Sequence, residues 1–164
     1  MKAKLIAVGN RLMGDEGIAI KIAEKLSDEL NLLGIDVIIG ETDVDFCFEN
    51  MKINDYILLL DATCYGIEPG TITLVPLNKN SLYINHSLTQ HDLSLIRLLD
   101  NSEHLTGYLI GIEVNNIDFD LQLSKQLQDR FPLLCEKIKS LVIELKARPN
   151  DAASNLVENT VRIV

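Results

Sequence analysis

Two adjacent carboxylates, Asp15 and Glu16, stand between glycines in "GNRLMGDEG" (9–17), and a third, Asp61, follows the apolar run "YILLL" (56–60). His91 lies in a polar stretch ahead of a leucine-rich segment. Two carboxylate oxygens and one imidazole make a hard-to-borderline ligand set suited to nickel or zinc, with positions left open for a substrate or water. The same set could serve acid-base hydrolysis. Each residue also has a structural role open to it when taken alone. Asp15 could cap a helix and Glu16 could sit in its first turn, each stabilising by about 0.5 to 1 kcal/mol. Asp61 could close a turn, and His91 could be a surface group. Chemistry requires that they converge, and convergence depends on the elements that carry them.

"AKLIAV" (3–8) and "YILLL" are short continuous apolar runs, as expected of strands covered on both faces. Between them Ala19, Ile22, Ala23, Leu26 and Leu30 recur at helical spacing, with Lys21, Glu24, Lys25 and Asp28 on the other side, which predicts an amphipathic helix from about Glu16 to Leu30. "DVIIG" (36–40) reads as a strand, "FCFENM" (46–51) as a short helix, and "GTITLV" (70–75) as a strand entered through the Pro69-Gly70 turn. His91 to Leu99 has helical leucine spacing, and "GYLIGIE" (107–113) is another buried-type strand. Asp120 to about Lys146 reads as a long helix interrupted near Pro132. The order predicts an α/β fold: a three-layer α/β/α single domain, residues 1–147, with a mostly parallel central sheet of about five strands. The tail, 148–164, reads as an edge strand or a disordered terminus. In such a sheet the loops at the carboxyl ends of the strands meet at one edge. Asp15, Glu16, Asp61 and His91 are all expected there.

With 164 residues, 24 acidic against 15 basic side chains and a net charge of -9, the chain is expected to repel a phosphate backbone. No basic leader or membrane-length apolar segment is evident, so a soluble, cytoplasmic protein with neither nucleic-acid nor membrane partners is expected. Cys47, Cys64 and Cys135 are widely spaced and form no CxxC, which fits a reducing compartment. Cys64, three residues beyond Asp61, has no identifiable partner base and reads as a loop thiol. His86 and His104 read as surface or loop residues. "VGNRLMG" lacks the glycine spacing of a dinucleotide fingerprint.

"GNRLMGDEG" resembles the N-terminal signature of the hydrogenase maturation proteases, endopeptidases that trim the C-terminal extension from the large subunit of nickel-iron hydrogenases. The similarity continues through "LLLDATCYGIEPGTI" (58–72), "QHDLSLIRLL" (90–99) and "LIGIEVNNIDFDLQLS" (109–124), in order over most of residues 1–145. The resemblance implies that Glu16, Asp61 and His91 contact metal, and that Asn10 and Asp15 shape the loop around it. The nickel would belong to the substrate, a precursor already loaded with metal, and other divalent metals could occupy the site. The motif assigns no catalytic residue, and attack of water on a metal-polarised carbonyl is the simplest route.

The sequence departs from the family pattern in three places. Ala7 replaces the first glycine of Gly-x-Gly-Asn. Glu41, in "GET" (40–42) beside Thr42, stands where the family commonly has Gly-Gly-Thr, and an acid there could narrow the groove for the precursor peptide. The tail beyond Leu145 has no recognised counterpart. A non-catalytic module that docks a nickel-loaded partner, and an unrelated small-molecule enzyme on the same α/β edge, are the competing readings.

Overall fold

The apolar runs become the centre of a sheet. In the computed structural model, which describes residues 1–77, 105–149 and the backbone of 161–163, β1 (Ala3–Val8) is buried along its whole length, and so is β3 (Tyr56–Thr63). The connecting helix α1 spans Ile18–Leu32, followed by β2 (Ile35–Glu41) and the short α2 (Val44–Glu49). After β3 come β4 (Ile72–Pro76), β5 (Thr106–Glu113), the long α3 (Lys125–Ala147) and β6 (Val161–Ile163). The sheet order is β2-β1-β3-β5-β4-β6. β2, β1, β3 and β5 run parallel, while β4 lies antiparallel on β5 and β6 antiparallel on β4.

Alternation along the strands divides the core between two faces. Leu5 and Ala7 of β1, Leu58 and Leu60 of β3 and Ile110 and Ile112 of β5 join Ile22, Leu26, Leu30, Leu127, Leu134 and Ile138 of α1 and α3. On the other face Ile6, Val8, Ile57, Leu59 and Leu109 pack with Cys47 of α2 and with Met51. The helices therefore form layers on both sides of a mostly parallel sheet. Each such fully buried aliphatic side chain contributes roughly 1.5 to 3 kcal/mol relative to exposure.

Several element boundaries differ from the sequence reading: β2 and β4 by one or two residues, and α2, read as 46–51, spans Val44–Glu49 because the Asp43 side chain caps it by accepting from Phe46 N. α1 starts at Ile18 because Gly14–Gly17 form a 3-10 turn, and Gly17 caps the helix with no side-chain hydrogen bond. Asp15 is thus not its N-cap. β3 runs past Asp61 to Thr63, since Asp61, Ala62 and Thr63 pair with Gly111, Ile112 and Glu113. α3 starts at Lys125, capped by Ser124, and is continuous through Pro132. Pro132 lies on the exposed face, so its missing amide leaves the buried stripe of Leu127, Leu134 and Ile138 undisturbed. The predicted helix at 91–99 and all three histidines, His86, His91 and His104, lie outside the described residues.

At the amino end of the strands, Lys4 is buried within β1. Its Nζ donates to Asn50 O at 2.6 Å, at the end of α2, and lies 2.6 Å from Asp55 Oδ2. The hydrogen bond from Lys4 holds the Asp55 carboxyl below its ordinary range. A lowered folded-state pKa contributes stability that is complete above the unfolded value, about 3.9, and is lost as pH falls through the folded value. Urea unfolding across the acid range should therefore show a shallower loss of stability for Asp55→Asn than for the native chain, together with a lower stability at neutral pH.

Candidate functional site

β1 lies between β2 and β3, so the chain leaves it toward one side of the sheet and returns on the other. Such a reversal opens a crevice outside the carboxyl ends of β1 and β3, where ligands bind in open α/β sheets. The 3-10 turn bearing Glu16 packs beside β3, which carries Asp61. Gly9 makes the close approach possible: it has φ +140°, and a Cβ there would stand 2.3 Å from the Glu16 carbonyl oxygen.

Asp61 belongs to a buried polar band. On the α2 side of the sheet β3 presents Ile57 and Leu59 and then Asp61 and Thr63, while β5 presents Leu109, Gly111 and then Glu113. Thr73 of β4 pairs with Gly111. Asp61, Thr63, Thr73 and Glu113 are all buried, with exposures of 8%, 2%, 2% and 1%. One face of the sheet therefore changes from apolar to polar toward its carboxyl edge. Asp61 Oδ1 accepts the amide of Ala62 at 2.8 Å. The Cys47 thiol of α2 is pushed up to about 11, mainly by burial and then by the charges of Asp43 and Asp61.

Glu113 organises the segment that follows Asp61. Its carboxylate accepts from Thr63 Oγ1 at 3.1 Å and from the amides of Tyr65, Gly66 and Ile67 at 3.0, 2.8 and 3.2 Å. Its backbone holds the far end of the same loop, with Gly70 N donating to Glu113 O and Glu113 N to Thr71 O. Cys64 sits on this loop, exposed and outside any disulfide.

Asp15 does the equivalent for the loop after β1. Fully buried, it accepts from Asn116 N at 3.1 Å and from Ser124 N at 2.6 Å, while its own amide donates to Asn116 O at 2.9 Å. Asn10 closes the start of the same loop: its side-chain oxygen accepts from Leu12 N and its carbonyl from Met13 N. Glu41 takes a left-handed backbone, φ +50°, of the kind glycine adopts freely. Its carbonyl receives Gly9 N at 3.0 Å, and its carboxylate accepts from Arg11 Nε and Nη2 at 3.0 and 2.7 Å. Arg11 also reaches Glu24 at 2.9 Å, so the Glu41 acid is engaged with a cation. Thr42 is exposed in the turn that follows.

Among the described residues no three histidine, cysteine or acidic side chains are grouped to hold a metal ion. Of the implied triad, Glu16 and Asp61 are described, on adjoining elements, and His91 is not.

Residues 20–141 match the family model of the hydrogenase maturation proteases, HycI. The chain belongs to that family. The match takes in Asp61 and His91 and begins after Glu16. The chain is 26% identical over 136 residues to the hydrogenase expression/formation protein HupD of Thiocapsa roseopersicina, covering 77% of this chain but only 61% of that protein's length. It is 26% identical over 140 residues to the hydrogenase 3 maturation protease of Escherichia coli, covering 82% of this chain and 87% of the relative. Among solved structures, the hydrogenase maturating endopeptidase HybD of E. coli superposes with a TM-score of 0.72 at 19% identity, covering 88% of this chain and 93% of HybD. That likeness establishes the fold.

Thr63, Thr73 and Glu113 are not among the residues that the motifs single out. The signal was present in "GYLIGIE", where an acid ends an otherwise apolar buried run and so requires buried donors. Glu113→Gln turns one of its two accepting oxygens into a donor facing other donors. It should destabilise the maturation-protease fold by about 1 to 3 kcal/mol in urea unfolding, with faster hydrogen exchange at Tyr65, Gly66 and Ile67.

Proposed function

We propose that the chain is the endopeptidase that removes the C-terminal extension of a nickel-iron hydrogenase large-subunit precursor after nickel insertion. Glu16, Asp61 and His91 are the groups that meet the nickel. The observation that carries this reading is the buried Asp61, at the β1/β3 crevice of a chain in this family, with the Glu16 turn packed beside its strand. The metal is cargo of the substrate and arrives with the precursor. Carboxylate and neutral imidazole donors suit nickel, and other divalent metals can occupy the same donors.

Donors from Glu16, Asp61 and His91 would complete a coordination shell that the precursor leaves open. An unloaded precursor lacks the group they recognise. The crevice then holds the extension so that its scissile carbonyl is exposed to water. Water adds to that carbonyl carbon, the C–N bond breaks, and a new carboxylate and amine separate; polarisation of the carbonyl lowers the barrier to attack. Asn10 and Asp15 fix the shape of the loop, while Glu41 and Thr42 lie where β2 ends, on the path proposed for the peptide. Among the described residues no helix is long and apolar enough to cross a membrane. The proposed processing is cytoplasmic, with neither nucleic acid nor membrane as partner.

Release of the C-terminal peptide from nickel-loaded and nickel-free precursor tests this. Glu16→Gln, Asp61→Asn and His91→Ala should each slow cleavage of the loaded form by about tenfold or more, the scale expected when a metal contact is lost. His86→Ala and His104→Ala should cleave at the native rate. Equal cleavage of the loaded and nickel-free precursors would sink nickel recognition, and binding without cleavage by the native chain would favour the docking module.

A further inference from the structure

The Asp15 staple holds more than a turn. Gly14 N donates to Asp120 O at 2.7 Å, Asp120 N to Leu12 O at 3.1 Å, and Met13 and Asp120 form a parallel bridge. Gly14 has φ +55°, and a Cβ there would lie 3.1 and 3.2 Å from the carbonyls of Asn116 and Asp118, so the segment after β5 wraps closely around it. Two loops are thereby fixed to each other by backbone hydrogen bonds and one buried carboxylate. Beside the exposed polar side chains of Asn115, Asp118, Asp120 and Gln122, four large apolar ones face outward: Phe119 is 78% exposed, Leu121 61%, Leu12 46% and Ile117 42%. Other exposed apolar side chains, such as Ile53 and Leu133, stand on separate elements. Large apolar groups clustered on a rigid support mark an interaction surface, because the ordering cost of binding is already met in the free protein.

The charge around these side chains specifies the partner further. Segment 114–124 carries Asp118 and Asp120 and no cation of its own; Lys125, which follows it, is paired with Asp129, Arg11 of segment 9–17 is held by Glu24 and Glu41, and Lys21, beside Gln122 and Leu123, is the cation nearest its far end. Glu16 and a net charge of -9 add to the acidic field. An apolar surface in acidic surroundings selects an apolar patch rimmed by lysine and arginine and steers its approach.

We infer that Leu12, Ile117, Phe119 and Leu121 form a preorganised docking rim for the hydrogenase large-subunit precursor, taking an apolar patch of that protein bordered by basic side chains. The inference rests on the proposed function for its partner, and adds where that partner is held. Phe119→Ser with Leu121→Ser in the full chain, assayed on nickel-loaded precursor, should raise KM about tenfold with kcat unchanged and leave the melting temperature unchanged or higher. KM of the native chain should also rise with added sodium chloride. If the double variant folds poorly, Phe119→Lys alone makes the same test at the most exposed position, and should raise KM more than Phe119→Ser because it repels the basic border. A native KM in a folded variant, or a KM indifferent to salt, would overturn the rim and leave the cleavage reading intact. A native chain that neither binds nor cuts the precursor would overturn both.

Discussion

The arrangement of the crevice depends on one carboxylate with no access to solvent. A buried charge costs several kcal/mol unless hydrogen bonds replace its hydration. Asp15 recovers that cost from the amides of Asn116 and Ser124, 101 and 109 residues further along the chain. The bonds fix three things at once: the entry into α1, the position of the Glu16 turn, and the point at which α3 can begin. Ser124 is drawn to Asp15 through its amide while its side chain caps α3 by accepting from Leu127 N.

The second constraint lies in the sheet. Along the α2-facing side the same strands that bury Ile57, Leu59 and Leu109 bury Asp61, Thr63 and Glu113 one or two pleats later. A core built for stability alone would continue with aliphatic side chains. Here acids replace them at the edge where loops converge, and Glu113 is satisfied by four donors from Thr63 and the loop behind it. Departures of this kind from a stability optimum are concentrated where a protein acts.

The sequence is informative where the signal is local. Continuous apolar runs identify β1, β3 and β5 because strands covered on both faces have no polar side to show, and the Ile22-Leu26-Leu30 spacing identifies α1. Asp61 stands out as an acid directly after such a run. The contributions that depend on distant backbone do not show in any window. Nothing near Asp15 indicates that its partners lie at 116 and 124, so a helix cap is the simpler local expectation. The antiparallel placement of β4 and the cap by Asp43, whose side chain accepts from Phe46 N, follow from packing and turn geometry that apolar periodicity does not encode. Glu41 is a similar case: its sequence position suggests an acid that narrows the peptide groove, whereas its carboxylate is engaged by Arg11, 30 residues earlier in the chain.

The three cysteines divide in a way that has a practical use. Cys47 and Cys135 are buried and their thiols are pushed up, mainly by burial, whereas Cys64 is exposed. Alkylation proceeds through the thiolate, so a maleimide dye applied at neutral pH would enter this protein at one place. That place lies three residues beyond Asp61, on the loop gathered by Glu113. A fluorophore attached there would report, by its change in colour or polarisation, each arrival at the crevice.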